Sequence, residues 1–296
     1  MDVFAEIKAI ADDNTSGARE LAARACDVLG AAAGDGLVKL WEVAQRLFAA
    51  QPAMVSIINV VNTALLAADN APEAGLPFAV RRRLERLKTA LHERPRAIAS
   101  AAWRLLPRNA IVITHSFSSV VLRWLIEARK WGRCAQVVCT ESRPMLEGVT
   151  LARRLAAEGV PVTLIADAAG PQRAGQVDAV GIGADGITPD GIINKIGTYP
   201  LALAACRASV PVYVLCGSEK ILGTGCLQPR LDEPKAPAEL LAEPAEGVRV
   251  ENTYFEMTPL TCLAAVVTER GVVRPSDLAA LFDALPIHVR LRSRGS

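Results

Sequence analysis

The chain has 296 residues, with 33 Lys and Arg against 31 Asp and Glu, a formal net charge of +2. That balance is too even for a nucleic-acid coat or an acidic tail protein. Hydrophobic residues at 51% and charged residues at 22% supply a packed core, in a length that suits one large domain or two ordinary ones. No uncharged apolar run approaches the roughly 18 residues of a membrane-spanning helix. The opening MDVFAEIKAIADD carries acids where an export signal carries cations. The expectation is a cytoplasmic protein with no membrane partner and no direct nucleic-acid partner.

From residue 1 to about 105 the apolar residues recur at helical spacing: Val3, Phe4, Ile7 and Ile10, then Leu21, Ala25, Val28 and Leu29, then Leu37, Leu40, Val43 and Leu47. Asn14-Thr15-Ser16-Gly17 breaks the first two segments, with Thr15 or Ser16 a candidate cap for the second. Val80 to Leu91 is basic and amphipathic, with Arg81, Arg82, Arg83, Arg86 and Lys88 around Leu84, Leu87 and Leu91; a solvated helix face is the plain expectation. Beyond Pro107 short apolar runs alternate with helical stretches. Ile111 to Ile113, Gln136 to Cys139, Pro161 to Ile165, Val177 to Gly181 and Val210 to Cys216 read as strands. Helices read around Val120 to Lys130, Gly148 to Glu158 and Tyr199 to Ala208. Continuous apolar strands separated by helices predict a parallel sheet covered on both faces. The predicted fold class is therefore α/β, with a helical N-terminal domain over 1–106 and a Rossmann-like domain with a parallel sheet over 107–296. Gln228 to Gly247, with Pro229, Pro234, Pro237 and Pro244, reads as a surface loop. The tail after Pro286, with Arg290, Arg292 and Arg294, reads as frayed.

Seven cysteines without a CxxC pair, in a chain without an export signal, predict buried reduced thiols. His92, His115 and His288 are the three histidines, and their spacing offers no zinc motif. No metal and no cofactor is expected.

In open parallel sheets, ligands bind beyond the carboxyl ends of the strands. Here the first strand ends Thr114-His115-Ser116-Phe117-Ser118-Ser119 and leads into a helix whose free amides suit an anion. The second ends Thr140-Glu141-Ser142-Arg143-Pro144, where an arginine offers a fork of donors to a phosphate. The third ends at Asp167 and the fourth at Gly183-Ala184-Asp185-Gly186. A Thr188-Pro189-Asp190-Gly191 turn then leads to Asn194-Lys195, and the last strand to Ser218 and Lys220. Arg143, Lys195 and Lys220 on one sheet edge predict an anion site; helix caps and surface ion pairs are the plainer alternative. Gly181, Gly183 and Gly186 match GxGxxG, but a turn follows where the dinucleotide motif needs a helix. Ser116 beside His115 with Asp185 or Asp167 evokes a hydrolytic triad, yet adjacent residues tend to point apart, and GxSxG is absent.

The strings ITHSFSSVVLRWL, TESRPMLEGVTLARRLAAEGVPVTLIADAA, VDAVGIGADGITPDGIINKIGT and VENTYFEMTP resemble one superfamily across nearly the whole chain. It holds the alpha, beta and delta regulatory subunits of initiation factor 2B, ribose-1,5-bisphosphate isomerase and methylthioribose-1-phosphate isomerase. The resemblance implies the architecture above and a homodimer or higher homo-oligomer. It also implies a sugar-phosphate site in residues 107–296 that takes a phosphorylated sugar or nucleotide ligand. By resemblance, Asp185 matches the catalytic aspartate of the isomerases and Ser116 stands at the position of their catalytic cysteine. Ser16, Gly17, Ala18, Arg19, Ser118, Ser119, Arg143, Asn194, Lys195 and Lys220 match substrate-binding positions. Three departures stand out: Ser116 in place of cysteine, a far weaker acid; Gln51 where an arginine is usual; and Glu147 where a glutamine is usual. Two functions are implied. One is an aldose–ketose isomerase, an intramolecular oxidoreductase, acting on a sugar 1-phosphate. The other is a non-catalytic sugar-phosphate or nucleotide sensor, or a regulatory subunit of the initiation factor 2B kind.

Overall fold

A computed structural model describes residues 1–13, 16–243 and 246–293. Asn14, Thr15, Pro244 and Arg294, used in the reading above, lie outside the described residues. The N-terminal part is helical: α1 (Val3–Ala11), α2 (Ala18–Ala32), α3 (Leu37–Ala50), α4 (Val55–Asp69) and α5 (Leu76–Ala102). Asp2 starts α1 by accepting from the amides of Phe4 and Ala5 at 3.0 and 3.1 Å, satisfying donors that a helix end leaves open. Ser16 does not cap α2. That place falls to Gly17, without a side-chain cap, while the Ser16 amide donates to Asp13 Oδ1 at 2.8 Å. Leu21, Leu29, Leu40, Leu47, Ile57, Ile58 and Leu65 form the helical core. On α5, Arg82, Arg83 and Arg86 are exposed, as a solvated face should be. Arg81 bonds the Gly30 carbonyl at 2.8 Å and Lys88 pairs with Asp27 at 2.5 Å. The far end of α5 leaves the helical core: Ile98, Ala99 and Ala102 pack with strand and helix residues of the sheet.

The remaining elements are β1 (Ala110–Thr114), α6 (Ser119–Lys130), β2 (Cys134–Thr140), α7 (Glu147–Ala157), β3 (Val162–Ile165), α8 (Ala169–Arg173), β4 (Ala179–Ile182), β5 (Gly186–Thr188), β6 (Gly191–Lys195), α9 (Thr198–Arg207), β7 (Val212–Leu215), β8 (Phe255–Thr258), β9 (Ala265–Thr268), β10 (Gly271–Val273) and α10 (Leu278–Asp283). The described residues form a seven-stranded sheet of order β10-β9-β7-β4-β1-β2-β3. It is parallel except for β10, which returns antiparallel to β9. The chain therefore runs outward from β1 through β2 and β3, then returns to lay β4 on the other side of β1. Connections on opposite faces leave a crevice at that reversal, beyond the carboxyl ends of β1 and β4.

Three features depart from the sequence reading. Gly186 to Lys195, read as a strand end and turn, is a hairpin that pairs with β8 in a second, antiparallel sheet of order β5-β6-β8. Gly191 makes this possible: a Cβ there would lie 2.5 Å from the Thr258 carbonyl oxygen. Secondly, the tail is docked and not frayed through residue 293. Asn62 Nδ2 donates to the Pro286 carbonyl at 2.8 Å, the His288 amide donates to Asn62 Oδ1 at 2.9 Å, and Leu291 is buried. Thirdly, six cysteines are buried and reduced as expected, but Cys206 is exposed on α9. Among the described residues no helix is long and apolar enough to cross a membrane.

Candidate active site

The β1 end is held in an uncommon conformation. Ser116 has φ +67°, and Ser142, after β2, has φ +64°. Such left-handed non-glycine residues cost about 1–3 kcal/mol each and persist where surroundings fix them. The fixing contacts are visible. The Ser116 amide donates to Ser142 Oγ at 2.7 Å. Asp167 accepts from the amides of Ser142 at 2.6 Å and Arg143 at 2.7 Å. Asp167 thus serves as the brace of the β2 turn, using both carboxylate oxygens on backbone.

His115 is buried, with Nε2 2.8 Å from the Ile196 carbonyl and Nδ1 2.6 Å from Thr140 Oγ1. A carbonyl only accepts, so Nε2 carries the proton and Nδ1 accepts from the Thr140 hydroxyl. Burial is the largest influence on the ring and lowers its pKa, outweighing the raising effects of the Ile196 carbonyl, Asp167 and Glu256. Both nitrogens are committed away from Ser116, so no Ser-His pair is formed. Gly197, with φ +100°, lets the chain pass the ring: a Cβ there would lie 2.9 Å from His115 Cε1.

Across the crevice, β4 is followed by half-buried Asp185, whose amide is fixed on the Ile193 carbonyl at 2.8 Å. Lys220 Nζ lies 3.9 Å from Asp185 Oδ1 and donates to the Ala184 carbonyl at 2.5 Å. The two walls touch, since a Cβ on Gly183 would lie 2.9 Å from Ser118 Cβ. Ser118 caps α6 through the Val121 amide at 3.3 Å, and Ser119 is the first residue of that helix.

The turn that carries Lys220 is gripped from behind, by residues that sequence reasoning missed. Asn59 on α4 donates to the carbonyls of Glu219 and Ile221 at 2.7 and 2.8 Å. Arg94 on α5 pairs with Glu219 at 2.5 Å, and its Nε lies 3.1 Å from Glu269. Glu269 also binds the Ser218 hydroxyl and amide at 2.5 and 3.0 Å. Burial pushes the Glu269 carboxyl up most strongly of any single influence, but the Ser218 hydrogen bonds and Arg94 together hold it below the usual carboxylate range.

On the β2 flank, Arg143 is exposed and donates to the Glu239 carbonyl at 3.0 Å. The Glu239 carboxylate is itself gripped by Asn252 at 2.7 Å and Tyr254 Oη at 2.5 Å. The irregular Gln228–Gly247 segment is therefore tied to this flank through a 3-10 turn at Pro237–Glu239. Lys195 is almost fully buried, pairs with Glu147 at 2.7 Å, and faces the Tyr254 ring at 4.3 Å. Asn194 donates to Thr198 Oγ1 at 3.0 Å.

The N-terminal candidates reach the same end of the sheet indirectly. The Ala18 carbonyl accepts from Ser56 Oγ at 3.4 Å, and a Cβ on Gly186 would lie 2.4 Å from Val55 Cγ2. Ala18, the first residue of α2, thus meets the start of α4, which presses on the neighbour of Asp185, and Gly17 precedes it as the N-cap. Ser16 and Arg19 are half-buried beside them. Gln51 spends its amide on the carbonyls of Ile10 at 2.8 Å and Asp13 at 3.4 Å, tying α1 to α3. Among the described residues no group of three or more His, Cys, Asp or Glu is placed to hold a metal.

The family model described as the initiation factor 2 subunit family matches residues 6–275. The chain belongs to that family. It is 32% identical to the ribose 1,5-bisphosphate isomerase of Archaeoglobus fulgidus over 239 residues, covering 78% of this chain and 75% of that protein. It is also 32% identical to the methylthioribose-1-phosphate isomerase of Chloroflexus aurantiacus, covering 89% of this chain and 86% of that protein. Among solved structures, the translation initiation factor eIF-2B of Pyrococcus horikoshii matches with a TM-score of 0.78 at 28% identity, over 92% of this chain and 97% of that one. The family therefore joins sugar-phosphate isomerases and initiation factor 2B-like proteins on one fold, and the resemblance read from the sequence holds for both family and fold.

Proposed function

We propose that this family member binds a phosphorylated sugar at the β1/β4 crevice and acts as an aldose–ketose isomerase on a sugar 1-phosphate. The observation that carries the reading is Asp185, a half-buried carboxylate with a fixed backbone, set beside the Lys220 ammonium at the reversal of strand order, where parallel sheets bind ligands. Its relatives among the sugar-phosphate isomerases support the same chemistry.

The reaction breaks the bond between C1 and the ring oxygen, moves a hydrogen from C2 to C1, and turns the C2 hydroxyl into a carbonyl. The ring oxygen gains the proton that the C2 hydroxyl loses. Atoms and electrons balance within the substrate. Asp185 is the residue placed to exchange those protons, a task worth roughly 10²- to 10⁴-fold for a positioned carboxylate. Lys220 sets a positive charge 3.9 Å from that carboxylate. Arg143 and the open amides at the start of α6 offer the phosphate its donors, while Ser118, Ser119, Asn194 and the α2 start from Ser16 to Arg19 line the sugar. Ser116 positions the substrate from its strained turn. The division into domains at 106/107, a cytoplasmic location and a homodimer or larger assembly belong to the same proposal. Tyr199 and Leu203 on α9, exposed at 38% and 40%, and Ile196 just before it, exposed at 40%, offer an apolar face for self-association.

A second reading, a sugar-phosphate or nucleotide sensor without turnover, is favoured by one observation: neither nitrogen of His115 is available to activate Ser116. Incubation with ribose 1-phosphate, ribose 1,5-bisphosphate and methylthioribose 1-phosphate, with product detection, separates the two. Turnover that falls about 10²-fold or more in Asp185→Asn supports the isomerase. Binding without turnover supports the sensor, and turnover unchanged in Asp185→Asn removes the aspartate from the chemistry.

A further inference from the structure

Lys195 and Glu147 form an ion pair inside the crevice wall. The pair distance is 2.7 Å. Two sides of the ammonium are covered, by the Tyr254 ring at 4.3 Å and the Phe255 ring at 5.6 Å. Only 4% of Lys195 is exposed. Each partner stands one residue from a group that holds the His115–Ser116 unit. Lys195 precedes Ile196, whose carbonyl takes His115 Nε2. Glu147 precedes Gly148, which is pressed against Thr140 and Ser142 so closely that a Cβ would lie 2.7 Å from Ser142 Oγ, the atom that receives the Ser116 amide. The second Glu147 oxygen, Oε2, is buried and accepts no hydrogen bond.

Charge decides what such a wall can face. Of the charged residues placed in the site above, Arg19, Arg143, Lys195 and Lys220 are cationic and Asp167, Asp185, Glu147 and Glu239 are anionic. The eight cancel. A ligand with two phosphates, each close to two negative charges at neutral pH, meets no surplus of cations, and one phosphate placed near Glu147 meets a half-buried carboxylate, where water screens less than at an open surface. A carboxylate with an unfilled acceptor suits the opposite group, a hydroxyl that donates.

We propose that Glu147 is a specificity-determining residue that restricts the crevice to a sugar with a single phosphate, presenting hydroxyl donors and not a second phosphate to the Lys195–Glu147 wall. Glu147 takes the charge of Lys195 away from the ligand. In Glu147→Gln the same ammonium is released toward the crevice with little change in shape. The inference rests on the crevice being the sugar-phosphate site proposed above.

The test is calorimetric titration of the wild-type protein and Glu147→Gln with ribose 1-phosphate and with ribose 1,5-bisphosphate. The wild type is expected to bind the monophosphate at least about tenfold more tightly, and the variant to shift that ratio toward the bisphosphate by about tenfold or more, equal to about 1.4 kcal/mol. A wild type that prefers the bisphosphate overturns the inference without any variant, as does a folded Glu147→Gln with an unchanged ratio. Should neither sugar bind either protein, the sugar-phosphate site itself is refuted, and the inference falls with it.

Discussion

Replacing Arg94 with methionine probes whether the helical part of the chain holds Lys220 in place. The Arg94 and Glu219 side chains are 15% and 6% exposed and 2.5 Å apart. After the substitution Glu269 loses Arg94 but keeps both Ser218 hydrogen bonds, whereas Glu219 loses its ion pair in a buried position. Removing one partner of such a pair costs about 3–5 kcal/mol, mostly from the charge left uncompensated, whereas replacing both partners by apolar groups of similar volume is close to neutral. Arg94→Met is therefore expected to lower unfolding stability by about 3–5 kcal/mol, and the double variant Arg94→Met/Glu219→Met to recover more than half of that loss. Urea denaturation followed by circular dichroism reads both. A loss below about 1 kcal/mol in the single variant, or a double variant no more stable than the single, refutes the reasoning. Sugar-phosphate affinity is expected to weaken in the single variant as the Ser218–Lys220 turn loosens.

Two further outcomes follow from geometry and charge. Gly148→Ala places a Cβ 1.8 Å from the Thr140 carbonyl oxygen, a collision between two backbone segments that no rotamer relieves; a loss of about 1–3 kcal/mol or more, with weakened ligand binding, is expected by thermal melting, and an unchanged melting temperature contradicts the packing described. The pKa of His115 is lowered by burial, so on acidification the unfolded chain takes its proton first. That contribution to stability is complete above the unfolded value of about 6.5 and declines as pH falls from there toward the lowered folded value. Stability measured between about pH 7.5 and about pH 5.5 should thus fall less steeply in His115→Gln than in the wild type, and equal slopes would show that the ring does not titrate as described.

Much of the fold could be read from the sequence because its strands are buried on both faces. Ile111 to Ile113, Gln136 to Cys139 and Val210 to Cys216 show as largely apolar runs, and the ends of β1, β2 and β7 fall within two residues of theirs. The β5-β6-β8 sheet was missed because its strands are short, and its third member lies some sixty residues from the hairpin, beyond the Gln228–Gly247 loop. Local pattern carries no such pairing. The docked tail was missed for a similar reason: Arg290 and Arg292 look solvated, while the anchoring residues Asn62 and Asp69 are far away on α4. In the crevice, the residue types at the strand ends were legible, but not their engagements. Lys195 looks like a free cation until Glu147 is seen beside it, and Asp167 looks like a catalytic acid until both its oxygens are seen on the backbone. The Arg94–Glu219–Glu269 cluster joins segments more than a hundred residues apart, and nothing in its sequence surroundings marks it.

The most direct measurement is a crystal structure of the protein with ribose 1-phosphate bound. The sugar should lie between the ends of β1 and β4, with one hydroxyl within about 3.2 Å of the Asp185 carboxylate and hydroxyls, not phosphate, toward Glu147. A sugar phosphate seated elsewhere on the chain, or one whose phosphate occupies the Lys195–Glu147 wall, would contradict it.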